Sequence, residues 1–175
     1  HTFNPNLDGG VRAIAAGGSG PSGNPDKVQY FNMATTGNAI DFGNLPQRQY
    51  LTSGTASRSR AVFMGGYTNS PSSTYVRMGG TAPANPGTVT MDYVSIAVKA
   101  NAVDFGDLGH TTSHSGNINN PIRGIVAVND NSYKTIEFIN IPTTGNASDF
   151  GTLTRGRSDG SGMSNSVRGI FNGGY

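Results

Sequence analysis

The sequence predicts an all-β repeat protein made of small antiparallel sheets that cover one another. Three observations lead there. Charge is sparse at 13%, while Gly is abundant, with 26 in 175 residues, a composition typical of turn-dense β proteins. Three segments superimpose without a gap: VQYFNMATTGNAIDFG (28–43), MDYVSIAVKANAVDFG (91–106) and IEFINIPTTGNASDFG (136–151). The first strand of each is apolar on both faces, and no stretch has a helical period long enough to cover them.

A second segment recurs between these. It reads Arg12 to Gly18, Arg60 to Gly66, Arg123 to Asn129 and Arg168 to Gly174, with an apolar run that ends in Gly-Gly in all but the third. The spacing from Asp41, Asp104 and Asp149 to the next Arg is 19 every time, whereas the spacing from Arg to the next Asp ranges from 26 to 44. One connection is fixed and the other accepts insertions, as in a repeated scaffold whose variable loops gather on one side. The units run 12–59, 60–122 and 123–167, with a partial unit at 168–175, in one repeat domain.

Each unit offers four strands. One lies in the Ser- and Thr-rich stretch that ends the unit, before the next Arg, and another ends at Gly-Gly. The third is Val28–Ala34 and its equivalents, and the fourth runs through Ala39–Leu45. Thr36-Gly37-Asn38 and Thr144-Gly145-Asn146 are expected to form a tight turn with positive φ between the last two. In the middle unit Ala100 replaces the Gly, so strain is expected there. Along the third strand, Val28, Met91 and Ile136 share a face with Tyr30, Tyr93 and Phe138. Phe31, Val94 and Ile139 share the other with Met33, Ile96 and Ile141. The natural covers are copies of the same sheet, an arrangement that stacked around an axis makes a β-propeller.

The order Arg, apolar strand, Gly-Gly, variable loop, aromatic strand, turn and a strand ending near Leu resembles the kelch repeat. Phe42, Phe105 and Phe150 stand where kelch units usually place a Trp. The wording ATTGNAIDFGNL, IPTTGNASDFGTL and SNSVRGIFNGGY is similar to kelch-like arrays in virion-associated proteins of marine bacteriophages, from about Arg12 to Tyr175. That resemblance implies kelch-like propeller blades and a structural or host-recognition role on a virion, tail or cell surface. The implied partners are copies of itself, neighbouring virion subunits or a cell-surface glycan. Three Asp-Phe-Gly units fall short of the roughly 4–8 blades of a closed ring. Closure is therefore expected from oligomerisation or from sequence outside these residues, with an open solenoid as the other arrangement. A start at His1, with no basic or apolar leader, fits a processed product, a tag remnant or a fragment.

The candidate sites follow from the same pattern. Asp-Phe-Gly without the other protein-kinase signatures is a structural repeat. Asp41, Asp104 and Asp149 are placed to pair with Arg60, Arg123 and Arg168, a bidentate bridge that would fix register between units. Arg12 and the three Phe complete the structural set. The insertion Thr68–Thr88 breaks the repeat, and its Tyr75 and Arg77, with Tyr67 just before it, are the candidate ligand contacts. His110 and His114 are four apart in a polar, strand-like segment, so no metal is expected. Asn146-Ala-Ser148 matches a glycosylation pattern inside the repeated turn. No cofactor and no catalytic residue is expected. The chain lacks Cys, a basic stripe and any apolar run of about 20 residues, so thiolate chemistry, nucleic acid and helical membrane insertion are not expected. The expected function is non-enzymatic binding or structural support. A glycan-cleaving propeller and an intracellular kelch-type adaptor are the rivals.

Overall fold

A computed structural model describes residues 11–18, 25–68, 88–112, 115–128 and 134–174. All the regular structure in them is β. The strands are β1 Arg12–Ala16, β2 Lys27–Asn32, β3 Ile40–Asn44, β4 Gln49–Tyr50, β5 Ser53–Ala56, β6 Arg60–Met64, β7 Tyr67–Thr68, β8 Thr88–Ser95, β9 Val103–Thr112, β10 Asn117–Asn119, β11 Arg123–Ala127, β12 Thr135–Asn140, β13 Ser148–Thr152, β14 Gly160–Ser164 and β15 Gly169–Gly173. Two sheets have four strands in chain order, β5-β6-β8-β9 and β10-β11-β12-β13. The first unit has β1-β2-β3, the last has β14-β15, and β4 pairs with β7. All pairings are antiparallel, so each unit is a meander. No sheet closes on itself.

The turns into three of the Arg strands, at Arg60, Arg123 and Arg168, are tied by a side chain three residues before the Arg. Asn120 Oδ1 accepts from the amides of Ile122 and Arg123 at 2.9 and 2.7 Å, and Asn165 does the same for Val167 and Arg168 at 2.8 and 2.7 Å. Ser57 Oγ takes this role in the second unit, accepting from Ser59 and Arg60. Such local side-chain acceptors are what make Asn and Ser good turn residues.

Asp-Phe-Gly is a β-bulge. Val28 pairs with Gly43 and Gln29 with Asp41, which leaves Phe42 as the extra residue. Phe105 is skipped likewise between Met91↔Gly106 and Asp92↔Asp104, and Phe150 between Ile136↔Gly151 and Glu137↔Asp149. A bulge re-aims a side chain, and here it brings the Phe ring onto the aromatic of the third strand. The pairs Tyr30–Phe42, Tyr93–Phe105 and Phe138–Phe150 are all edge-on, with centroids 5.9, 5.8 and 6.1 Å apart.

The sheets cover one another. Val28, Phe42 and Leu45 of the first unit pack against Ala61, Phe63, Val94 and Ala102 of the second. Val62, Met64, Met91, Phe105 and Leu108 of the second pack against Val126, Val128, Ile139 and Ile141 of the third. The two apolar faces of the second unit's sheet therefore serve two different interfaces. Burying each Val, Leu, Ile, Met or Phe among them contributes about 1.5–3 kcal/mol, so the stack holds its units together without help from helices.

The Thr-Gly-Asn segment is not the tight turn. The chain reverses earlier, through the residues after Asn32, Ser95 and Asn140, and Thr-Gly-Asn is the extended return that lies on the preceding unit. Asn101 Oδ1 accepts from the Asn44 amide at 3.0 Å, and Asn146 Oδ1 from the Asp107 amide at 3.1 Å. The Ala102 and Ala147 amides donate to the Asn44 and Asp107 carbonyls, both at 2.8 Å. The Asn is there to cap a neighbour rather than to supply positive φ. Ala100 accordingly has no positive φ and carries none of the strain expected of it. The same bond occupies Asn146 of the Asn-Ala-Ser pattern.

Candidate functional site

The repeated Arg side chains do not reach the repeated Asp. Among the described residues, His110–Glu137 is a carboxylate ion pair, and none joins a repeated Arg to a repeated Asp. Arg60 Nη1 donates to the carbonyls of Ile141 and Pro142 in the next unit, at 3.2 and 2.8 Å, and its guanidinium lies over the Tyr93 ring at 4.7 Å. Arg12 repeats the arrangement, with Ile96 O, Ala97 O and the Tyr30 ring. The expected bidentate bridge is thus replaced by a clamp onto strand-end carbonyls. Asp41 and Asp104 lie exposed on the bulge, and Asp149 Oδ1 accepts from the Gly151 amide at 3.1 Å. Arg with an aromatic in every copy was visible in the sequence, but the acceptors, being backbone, leave no residue-type signal.

One end of the stack gathers the irregular features. Register places the Gly-Gly turns, the starts of β2, β8 and β12 and the exits of β3, β9 and β13 together. Gly65 and Gly66 have φ of 61° and 94°, and a Cβ on Gly66 would stand 2.7 Å from the Tyr50 carbonyl. Only glycine lets the chain leaving the first unit pass there. On this passage Tyr50 pairs with Tyr67 across β4 and β7, their rings 5.3 Å apart and tilted by 41°. Tyr67 is thereby placed at the base of the 69–87 insertion. Tyr75 and Arg77 lie outside the described residues, as does His114.

At the same end, His110 and Glu137 line a cleft of about 420 Å³ with Gly109, Thr135, Asp149 and Thr152. Glu137 is buried, and its Oε2 accepts from the Gly109 amide at 2.9 Å while Oε1 lies 2.6 Å from His110 Nδ1. The His110 side chain is half exposed on β9. Among the described residues, no group of three or more His, Asp or Glu is arranged to hold a metal ion. The cleft was missed in the sequence because Glu137 occupies a strand position where its neighbours in the repeat are Gln29 and Asp92. Its burial depends on β9 of the preceding sheet.

Asp92 holds that position in the second unit. Burial pushes its carboxyl up to about 6 from an ordinary 3.8, the Asp104 charge across the ladder adds to the rise, and the Gln49 amide, donating at 3.4 Å, opposes it. Because the folded state resists ionisation, stability is fully present below about pH 4 and falls as pH rises toward about 6. Asp92→Asn, which retains an acceptor for Gln49, should be more stable than the parent by about 2 kcal/mol at pH 7 and equal to it near pH 3. Urea denaturation of both proteins at the two pH values checks this. An equal difference at both would show that Asp92 ionisation is not the cause.

No protein-family model matches the chain, and no curated protein matches it in sequence. The fold and site define it as an all-β repeat protein of stacked antiparallel sheets.

Proposed function

We propose that this is a non-enzymatic structural and binding protein, displayed on a virion or cell surface, and that the Gly-Gly end of its stack recognises a glycan. The observation that carries the reading is the convergence there of the Tyr50–Tyr67 pair, the base of the 69–87 insertion and the His110–Glu137 cleft. A rigid scaffold that concentrates its variable connections at one end is built for recognition. Tyrosine rings offer an apolar face with a polar tip. The cleft adds carboxylate and hydroxyl groups able to fix sugar hydroxyls, the few oriented polar groups a ligand site needs. The surface-display part of the reading rests on the resemblance of the repeat wording to phage virion proteins.

The test is a glycan array followed by titration of any binding polysaccharide. Tyr67→Ala and Glu137→Gln should each weaken binding about tenfold or more, the loss of one good contact. Absence of glycan binding, or binding indifferent to both changes, would sink the proposal. Release of shortened sugars would instead favour a hydrolase, since Glu137 and Asp149 line the same cleft and a carboxylate couple is what glycoside hydrolysis uses.

A further inference from the structure

The two inter-unit interfaces are built alike, and the two halves of a third lie bare at opposite ends of the molecule. In each interface the bulged Phe of one unit is covered by the next unit's hairpin: Phe42 is 3% exposed and Phe105 is 2% exposed, but Phe150 is 51% exposed. Arg123 lies over the Phe138 ring at 5.0 Å as its counterparts do, yet it is exposed and has no carbonyl acceptors among the described residues. The Thr152 amide, equivalent to those of Asn44 and Asp107, has no Asn cap among the described residues. The last sheet does not supply these partners. β14 and β15 stack on the β10 side of the third unit, with Gly162 and Gly169 against Ile118 and Phe171 against Gly116. Among the described residues, the outer edge of β15 is unpaired.

The missing pieces are present on the first unit. Its outward face exposes Phe31 and Met33, which stand where Val94 and Ile96 cover the unit before them. Its Asn38 side chain, equivalent to Asn101 and Asn146, has no partner among the described residues. The Met33 and Ala34 carbonyls correspond to those that the Arg clamp grips at Ile96 and Ala97. Moreover the same Arg-x-Ile pattern leading to Gly-Gly runs through β1 and, from Arg168, into β15, so β15 offers β2 the register that β1 does.

We infer that the Phe138–Phe150 face and the open edge of β15 receive the β2–β3 hairpin of a second copy of this chain, with β15 exchanged for that copy's β1. The composite sheet would run β14-β15-β2-β3, four strands like the two complete sheets. Each copy carries both halves, so the association is head to tail. Each then has three four-stranded sheets, and a closed pair about six, inside the roughly 4–8 that close a propeller. This inference goes beyond the glycan reading and does not depend on it.

The chain has no Cys, which makes trapping clean. Asn38→Cys and Thr152→Cys are prepared separately, mixed and oxidised, with Val98→Cys and Thr152→Cys as the control mixture. The first pair should give a disulfide-linked heterodimer well above the control, and adding Phe150→Asp to the Thr152→Cys chain should abolish it. Phe150 is exposed in the single copy, so that change leaves the fold intact. Light scattering on the unaltered protein should show a mass above 18.1 kDa that rises with concentration. Hydrogen exchange should show Gly169–Gly173 gaining protection as Arg12–Ala16 lose it. A constant monomer mass, cross-linking no better than the control, or β15 amides unprotected in the associated state would each overturn the inference.

Discussion

Phe105→Ala is expected to destabilise the protein by about 3–5 kcal/mol, the range for truncating a buried aromatic, while Phe150→Ala should change stability by less than about 1 kcal/mol. The two residues sit at the same place in the same Asp-Phe-Gly bulge, edge-on to Tyr93 and Phe138 at nearly equal distances. What differs is the cover. Phe105 is wedged among Met64, Met91, Leu108 and the third unit's Val126, Ile139 and Ile141, so its removal leaves a cavity that two packed sheets cannot collapse to fill. Phe150 has solvent on its far side. Urea denaturation of both variants, at concentrations low enough to keep copies apart, measures the value of the inter-unit cover by difference. Equal losses would mean that the bulged Phe acts within its own sheet and that the stack contributes little. A loss at Phe150 that appears only at high concentration would be the mark of a second copy covering it.

The sequence made one level of this structure legible and concealed another. The strands of the units were visible, four of them in each of the two complete sheets, because strand periodicity and the Arg, Gly-Gly and Asp-Phe-Gly punctuation are written in side chains. So was the stacking of sheet on sheet, since Val28 and Phe31 point to opposite faces and both needed cover. The devices that join units were hidden because half of each is backbone. The Arg clamp grips the carbonyls of residues 141 and 142, which any residue supplies, whereas the Asp of Asp-Phe-Gly is the charged group that recurs in every copy and so suggests itself as the partner. The Asn of Thr-Gly-Asn looked like a turn residue because Asn and Gly together signal positive φ. The Lys99-Ala100-Asn101 variant was the available clue: it drops the Gly and keeps the Asn, as a capping side chain requires and a left-handed turn does not. An isolated Gly inside a strand pattern signals a bulge, so the bulge at Gly43, Gly106 and Gly151 was open to the same kind of reading. The His110–Glu137 cleft had no such clue, because its members come from different units and differ from the equivalent residues of the other copies.

Gly106→Ala should cost about 4 kcal/mol, against about 1–3 kcal/mol for Gly151→Ala, the strain alone of a side chain in glycine-only backbone. Both glycines close the same bulge with nearly the same φ, 138° and 141°, so both variants bear that strain. A Cβ on Gly151 meets nothing within 4 Å, while one on Gly106 would stand 2.5 Å from the Gly145 carbonyl oxygen. That oxygen belongs to the Thr-Gly-Asn return of the next unit, whose Gly145 amide donates to the Phe105 carbonyl at 2.7 Å and whose Asn146 caps the Asp107 amide. The clash is with backbone, so no rotamer change relieves it. The return must lift from the preceding unit and give up these bonds. Thermal unfolding of the two variants separates bulge geometry from inter-unit contact: a larger loss at Gly106 assigns the excess to the seam between the second and third units. Equal losses would show that the seam is soft enough to yield and that the units are held by their apolar faces alone. In a stack whose units contact only their neighbours, stability is close to a sum of unit and seam contributions. The excess at Gly106 is then a direct reading of how much of that seam is backbone contact.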